Sequence, residues 1–177
     1  MLDAFLDGHG AGAVTDKIVV VGLGNSYRND DGVGVAAAAA LDDLALPRVR
    51  VVTGVVEPMS LLEAWSGARL AVVIDATKVI PSSPGRIRRC ALSDVVTASH
   101  GLSSHSVDIG RTHGLGRALG RVPDELVVFT IEVAATGHGV GLSPPVARAV
   151  PQVVGMAVDE INRRQGPPRR SGRPASR

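Results

Sequence analysis

Acidic and histidine side chains at three places in the chain are the candidates for chemistry. Asp31 lies in a glycine-punctuated stretch, GLGNSYRNDDGVG over residues 22–34, and Asp75 comes directly after a run of apolar residues. His105 lies in a polar stretch, residues 99–114, that holds three of the five histidines. Two carboxylates and an imidazole together suit a divalent ion such as nickel, zinc, manganese or iron, and these residue types do not choose between the metals.

Other kinds of site fit the first stretch less well. Gly22 and Gly24 match the start of a dinucleotide-binding loop, but Tyr27 stands where the third glycine is required. Two carboxylates would also repel a pyrophosphate at the start of the following helix. One of Asp30 and Asp31 could instead cap that helix, which would leave the other free to face the site. The chain has no HExxH or GxSxG motif.

Alternating strand and helix patterns indicate which elements position these residues. Continuous β-branched runs are typical of buried parallel strands, whereas an alternating run such as 86–92 is typical of an edge strand. We expect a polar loop at 95–104, a capping box formed by Ser60 and Glu63, and a kink or split of the last helix at Pro151. The predicted strands are 17–23, 48–56, 70–76, 86–92 and 125–134, and the predicted helices are 33–44, 60–66, 108–119 and 144–162.

This alternation predicts the α/β class. We expect a three-layer α/β/α sandwich with a mainly parallel, twisted sheet of about five strands and the first strand central. Ligands of such sheets bind in the crevice beyond the carboxyl ends of the strands. Asp31, Asp75 and the histidine-containing stretch all follow predicted strands, so we expect them to meet at that edge.

Composition excludes several classes of protein. Aromatic residues make up 2% of the 177 residues, too few for stacking platforms that bind single-stranded nucleic acid. The single cysteine, Cys90, excludes an internal disulfide framework, fits a reducing compartment and is expected to be structural. No apolar run is long enough to span a membrane, and residues 1–16 lack the positive charge of a signal peptide. We therefore expect a cytoplasmic protein.

Charge is distributed unevenly along the chain. Six of the 19 basic residues lie in 163–177, which leaves 13 basic against 17 acidic groups, or −4, for the remainder. The basic segment is rich in Pro, Gly and Ser and has no large apolar residue to bury, so we expect it to be disordered. The predicted organisation is an N-terminal extension at 1–16, one domain at 17–162 and an Arg/Pro-rich tail at 163–177.

Four blocks of the chain match one known family in order and spacing. They are VVVGLGNSYRNDDGVGV (19–35), AVVIDA (71–76), SSHSVDIG (103–110) and TIEVAATGHGVGLSPPVARAV (130–150). Over roughly residues 17–160 the chain resembles the hydrogenase maturation endopeptidases, with GxGNxxxxDDGxG as the most specific block. The resemblance implies the same α/β/α fold. It also implies a peptidase that removes a short C-terminal peptide from the large subunit of a nickel–iron hydrogenase after nickel insertion.

The resemblance also assigns the site. It implies that Asp31, Asp75 and His105 contact the metal and carry the processing reaction, with a free carboxylate available as general base. Gly24 and Asn25 match the loop residues that shape the cleft. Two further positions are Glu132, expected to be structural or to support the ligands, and His113, an extra histidine that could compete with His105.

Partners and alternatives follow from the same assignment. The nickel would be supplied by the substrate, the hydrogenase large-subunit precursor, and the sequence does not decide whether it also polarises the carbonyl or activates a water. One alternative is a non-catalytic metal-checking or metal-binding module that acts on the same subunit. Another is a phosphate- or nucleotide-binding module. We expect a monomer that binds neither nucleic acid nor membrane.

Overall fold

The computed structural model describes residues 17–55, 57–97 and 107–165. A short 3₁₀ turn, Asn29–Gly32, precedes the first helix. The strands are β1 (Ile18–Leu23), β2 (Val49–Val55), β3 (Leu70–Thr77), β4 (Ile87–Cys90) and β5 (Glu125–Glu132). The helices are α1 (Val33–Asp42), α2 (Pro58–Trp65), α3 (Leu92–Thr97), α4 (Ile109–Ala118) and α5 (Pro144–Gln165).

The five strands form one sheet in the order β2-β1-β3-β5-β4. The pairs β1/β2, β1/β3 and β3/β5 are parallel, and β4 lies antiparallel to β5 at the edge. The predicted α/β class and mainly parallel five-stranded sheet are confirmed. The middle strand is β3 and not β1, so the predicted central position of the first strand is wrong. Both strands are continuous apolar runs, and the pattern of either one suits a central position.

Every residue of β1 and β3 is buried, since helices cover both faces of the sheet. Successive side chains of a strand point to opposite faces, so each strand contributes to two separate apolar layers. The α1/α5 layer includes Val20, Val72, Ile74, Phe129, Ala149 and Val153. The α2/α4 layer includes Val21, Val73, Leu62, Trp65, Val107 and Ile109. The α/β/α arrangement therefore rests on two cores built almost entirely from aliphatic residues.

Two local predictions are wrong. Helix α2 begins at Pro58 and not at Ser60, because the fixed φ of proline suits the first turn of a helix. The Ser60 hydroxyl instead lies 3.5 Å from the Glu57 carboxylate, so no Ser60–Glu63 capping box forms. Part of the predicted polar loop is helical, since α3 occupies Leu92–Thr97.

Helix α5 runs unbroken through Pro151 and does not split there. The ring lies on the exposed side of the helix, so the backbone hydrogen bond that proline cannot make faces water. Ala149 and Val153, two residues to either side, are buried in the α1/α5 layer and hold the helix against the sheet.

The last helix ends at Gln165, three residues beyond the predicted domain boundary. Its final turn is held by an ion pair between Arg164 and Glu125 and by the Gln165 amide, which donates to the Pro47 carbonyl oxygen at 2.8 Å. Residues 1–16 and 166–177 lie outside the described residues, so the predicted extension and disordered tail remain predictions. None of the helices within 17–55, 57–97 and 107–165 has the length and apolar character needed to cross a bilayer.

Candidate active site

The chain changes direction across the sheet between β1 and β3. From β1 it crosses through α1 to β2 on one side, whereas from β3 it continues towards β5 on the other. Helix α1 covers one face, and the connection from β3 to β5 covers the other. The loops that leave β1 and β3 therefore diverge and open a crevice at the carboxyl edge of the sheet. Asp31 follows β1 and Asp75 lies near the end of β3, so both predicted carboxylates belong to this crevice.

Helix α1 packs very closely against the two strands beside the crevice. A Cβ atom added to Gly34 would lie 2.3 Å from the Leu23 carbonyl oxygen and 2.4 Å from that of Ile74. Gly34 is three residues after Asp31, and Ile74 directly precedes Asp75. This contact brings the two acid-bearing segments together, and the 3₁₀ turn is itself in contact with β3.

Both carboxylates are held away from water. Asp31 is 0% exposed and Asp75 is 2% exposed. The Asp75 carboxylate accepts a hydrogen bond from the Ala76 amide at 2.8 Å. Its neighbours Ile74 and Ala76 face the α1/α5 layer, so the Asp75 side chain points to the α2/α4 side of the sheet. Buried carboxylates gain strongly from an approaching cation, because little water screens the attraction.

The neighbouring carboxylate, Asp30, fixes a loop. It is fully buried and accepts hydrogen bonds from the Ser143 amide at 2.6 Å, the Ser143 hydroxyl at 3.0 Å and the Ala135 amide at 3.3 Å. The residue at the N-cap of α1 is Gly32, with no side-chain capping bond. The alternative in which one of the two aspartates caps α1 is therefore wrong, because the 3₁₀ turn carries both acids before the helix begins.

The predicted imidazole ligand, His105, lies outside the described residues. The described chain resumes at Val107, which is buried in the α2/α4 layer, and Asp108 then caps α4 by accepting from the Arg111 amide at 2.9 Å. Among residues 17–55, 57–97 and 107–165, no group of three His, Cys, Asp or Glu side chains lies close enough to hold a metal ion. The three-ligand site thus remains a prediction.

The extra histidine, His113, belongs to the core of the α2/α4 layer. Its ring meets that of Trp65 edge-on, with centroids 6.3 Å apart. Trp65 ends α2 at the side that leads into β3, so His113 lies towards the amino edge of the sheet and away from the crevice. Burial lowers the pKa of His113, and the nearby Arg117 lowers it further. His113 is therefore placed as a neutral packing residue.

Glu132 supports the loop that follows Asp75. Its carboxylate accepts from the Ser83 amide at 2.9 Å and from two nitrogens of the Arg88 guanidinium at 3.1 and 2.9 Å. Burial alone would raise the pKa of Glu132, but the Ser83 amide and the Arg88 charge outweigh it and lower that pKa. Glu132 is paired in register with Thr77, the last residue of β3, so it anchors the exit from that strand.

The first loop is shaped as its sequence implies. The Asn25 side-chain oxygen accepts a hydrogen bond from the Tyr27 backbone amide at 2.9 Å. The Asn25 backbone carbonyl oxygen accepts a second one from the Arg28 backbone amide at 3.0 Å. Sequence reasoning missed the part played by Asp30 and Ser143. The available signal was the GLSPP stretch, residues 141–145, which lies within one block of the resemblance and contains Ser143.

Comparison with known proteins agrees with this architecture. A family model described as hydrogenase maturation protease (HycI) matches residues 35–160. The chain belongs to the hydrogenase maturation protease family. The matched range includes Asp75 and Glu132 and begins four residues after Asp31. The predicted family and peptidase class are thereby confirmed.

Individual relatives cover most of the chain. The coenzyme F420 hydrogenase subunit delta of Methanothermobacter thermautotrophicus is 25% identical over 162 residues, which span 82% of this chain and 94% of that protein. The hydrogenase maturating endopeptidase HybD from Escherichia coli superposes with a TM-score of 0.75 at 21% identity, over 85% of this chain and 94% of that one. The [NiFe] hydrogenase maturation protease HybD from Thermococcus kodakarensis has a TM-score of 0.71 at 22% identity, over 82% and 99% respectively. These structural matches show the fold.

Proposed function

We propose that this protease removes the C-terminal extension of a nickel–iron hydrogenase large-subunit precursor after nickel has been inserted. The observation that carries the proposal is the pair of buried carboxylates, Asp31 and Asp75, on two touching segments at the crevice of the sheet. Membership of the maturation protease family supplies the substrate class. The same proposal places the reaction in the cytoplasm and treats the enzyme as a monomer.

Nickel enters this proposal as part of the substrate. Asp31, Asp75 and His105 would contact the precursor's nickel, since carboxylate and imidazole are ligands that this ion accepts. In the sequence, His105 comes two residues before Val107, where the described chain resumes. Val107 is buried on the same face of the sheet to which Asp75 points. This chain connectivity supports a shared site.

The chemistry of the proposal is amide hydrolysis beside the bound metal. Contact with nickel would hold the scissile peptide bond at the crevice, where positioning alone removes much of the entropic barrier. A carboxylate at this position can accept the proton of the attacking water, and the leaving amine takes up a proton as the peptide bond breaks. The proposal gives these roles to Asp31 and Asp75 and leaves Glu132 to fix the adjoining loop.

A processing assay on nickel-loaded precursor tests this assignment. Asp31→Asn, Asp75→Asn and His105→Ala should each lower the cleavage rate by about a hundredfold or more, as expected for groups that act in the reaction itself. Asp43→Asn is the matched control, because Asp43 is an exposed acid at the far end of α1 and should leave the rate unchanged. Cleavage is read as the change in mass of the large subunit.

Two results would contradict the proposal. A precursor that binds the wild-type chain but keeps its full mass would indicate a metal-checking module instead of a protease. Rates that stay within twofold of wild type in both aspartate variants would remove those carboxylates from the reaction.

A further inference from the structure

Two loops at the carboxyl edge of the sheet are bonded to each other along their length. Loop 24–32 follows β1 and loop 133–143 follows β5, so together they flank the end of β3. Backbone bonds of 3.0 Å join the Asn29 amide to the Gly139 carbonyl oxygen, the Gly139 amide to the Tyr27 carbonyl oxygen, and the Asp30 amide to the Ala135 carbonyl oxygen. We refer to the joined loops as the clasp.

Side chains lock the clasp further. The Arg28 guanidinium donates a hydrogen bond to the Thr136 carbonyl oxygen at 3.2 Å. The Asn29 side-chain amide donates one to the Gly137 carbonyl oxygen at 3.1 Å. Gly139 has a φ of +152°, and a Cβ atom added there would lie 2.4 Å from the Asn29 side-chain oxygen. A surface fixed in this way can bind a partner with little loss of conformational entropy.

The clasp exposes large apolar side chains at the rim of the crevice. Tyr27 is 74% exposed and Val140 is 80% exposed, and the hydrogen bond between Gly139 and Tyr27 makes their backbones neighbours. Ile80, which is fully exposed, lies on loop 78–86 after β3, and the Ser82 hydroxyl of this loop donates to the Val133 carbonyl oxygen at the start of loop 133–143. Single exposed apolar residues are ordinary, but three on loops that are hydrogen-bonded to one another indicate an interaction site.

The charge of this rim is one-sided. The three loops 24–32, 78–86 and 133–143 contain two carboxylates, Asp30 and Asp31, and both are fully buried. Their exposed charged residues are Lys78 and Arg86. The surface that a partner meets is therefore apolar and basic, whereas residues 1–162 as a whole carry an excess of acid.

We infer that this rim, formed by Tyr27, Val140, Ile80 and Lys78, is the surface on which the enzyme docks its substrate. The inference rests on the proposed function, and the occupant is a segment of the large-subunit precursor that carries apolar and acidic side chains. Three side chains cover on the order of a few hundred Å², well below the roughly 1,600 Å² of a stable complex. This size fits the brief contact of an enzyme with its substrate better than a permanent dimer.

The location of the rim agrees with this occupant. Asp31 belongs to the same loop as Tyr27, and its amide donates to the Arg28 carbonyl oxygen at 3.2 Å. A segment seated on Tyr27 and Val140 would therefore lie beside the loop that carries Asp31. The rim thus sets affinity and register, while the reaction takes place at Asp31 and Asp75.

Steady-state kinetics on nickel-loaded precursor, with the full chain as enzyme, test the inference. The double variant Tyr27→Ser/Val140→Ser should raise KM about tenfold and leave kcat within twofold, since docking and chemistry use different residues. Lys78→Glu should also raise KM, by a factor that shrinks at high salt because exposed charges are screened. The matched control is Leu115→Ser/Leu119→Ser, which alters two exposed leucines at the C-terminal end of α4 and should change neither constant.

The outcomes separate this inference from the proposed function. If the wild-type chain cleaves the precursor and the double variant has the same KM, the docking surface is wrong and the protease assignment stands. A double variant that loses kcat at constant KM leads to the same conclusion. A wild-type dimer that the double variant converts to monomer would show that a second copy occupies the rim, which also overturns the inference. Binding that depends on Tyr27 and Val140 without any cleavage would overturn the protease and keep the docking surface. A wild-type chain that neither binds nor cleaves precursor would overturn both.

Discussion

The Asp30 carboxylate accepts hydrogen bonds from both the backbone amide and the hydroxyl of Ser143, which lies 113 residues away in the chain. This pair joins the loop after β1 to the start of α5 and holds the clasp over the end of β3. The adjoining residue, Asp31, is thereby fixed at the crevice. The DDG stretch of the most specific block thus combines one structural and one proposed catalytic carboxylate.

Removal of the Asp30 carboxylate should destabilise the fold. Asp30→Ala would leave the part-buried amides of Ser143 and Ala135 without their acceptor, at a cost of about 3 kcal/mol, whereas Ser143→Ala removes one hydroxyl bond and should cost about 1 kcal/mol. Urea unfolding of both single variants and the double variant measures the coupling between the two residues. Strictly additive free energies of unfolding would show that the pair does not act as a unit.

The contact of Gly34 with β1 and β3 should tolerate no side chain. Gly34→Ala places a Cβ against two backbone oxygens that cannot rotate away. We therefore expect the free energy of unfolding to fall by about 2–4 kcal/mol and the two acid-bearing segments to move apart. Gly155→Ala is the control, because α5 leaves open space at that position and alanine favours helix by up to about 1 kcal/mol. Thermal unfolding of both variants compares them, and equal melting temperatures would contradict the packing described.

Glu132 should contribute stability that depends on pH. The Ser83 amide and Arg88 lower its pKa in the folded state against the opposing effect of burial, so the folded protein binds fewer protons than the unfolded chain. Its contribution is therefore present above the unfolded pKa of about 4.5 and is lost as pH falls further. The difference in urea midpoint between wild type and Glu132→Gln should shrink from pH 6 to pH 3.5. A difference that is constant over this range would count against the ionised contact.

His113 should make the fold sensitive to mild acid. Burial and the nearby Arg117 lower its pKa below 6.5, so the folded state disfavours the protonated ring. Stability from the neutral ring is present above pH 6.5 and is lost as pH falls below it. His113→Phe keeps a ring against Trp65 and should flatten the dependence of the melting temperature on pH between 7.5 and 5.5. An unchanged slope in this variant would assign the effect to other groups.

The sheet was the most predictable part of the molecule. The apolar runs of β1 and β3 and the alternation of β4 are local patterns, and each predicts burial or an edge without knowledge of the rest of the chain. The middle position of β3 was not predictable, because two equivalent runs compete for it. Helix α3 was missed because six mixed residues carry too little periodicity to identify a helix.

The site was predictable where it depends on the ends of strands. Asp31 and Asp75 follow from the rule that parallel strands present their carboxyl ends at one edge, and both lie there. The bonds of Asp30 to Ser143 and of Glu132 to Arg88 join distant parts of the chain, so no local pattern reveals them. His105 lies outside the described residues and stays a prediction from the resemblance.

The central claim is that Asp31 and Asp75 meet a nickel ion that arrives with the substrate. The most direct measurement compares the rates at which dialysed enzyme cleaves nickel-loaded and nickel-free precursor, together with the metal content of that enzyme. We predict little metal on the dialysed enzyme, cleavage of the loaded precursor, and cleavage of the nickel-free precursor slower by about a hundredfold or more. Equal cleavage of both precursors by an enzyme that holds one metal ion per chain would contradict the account and indicate a conventional metalloprotease.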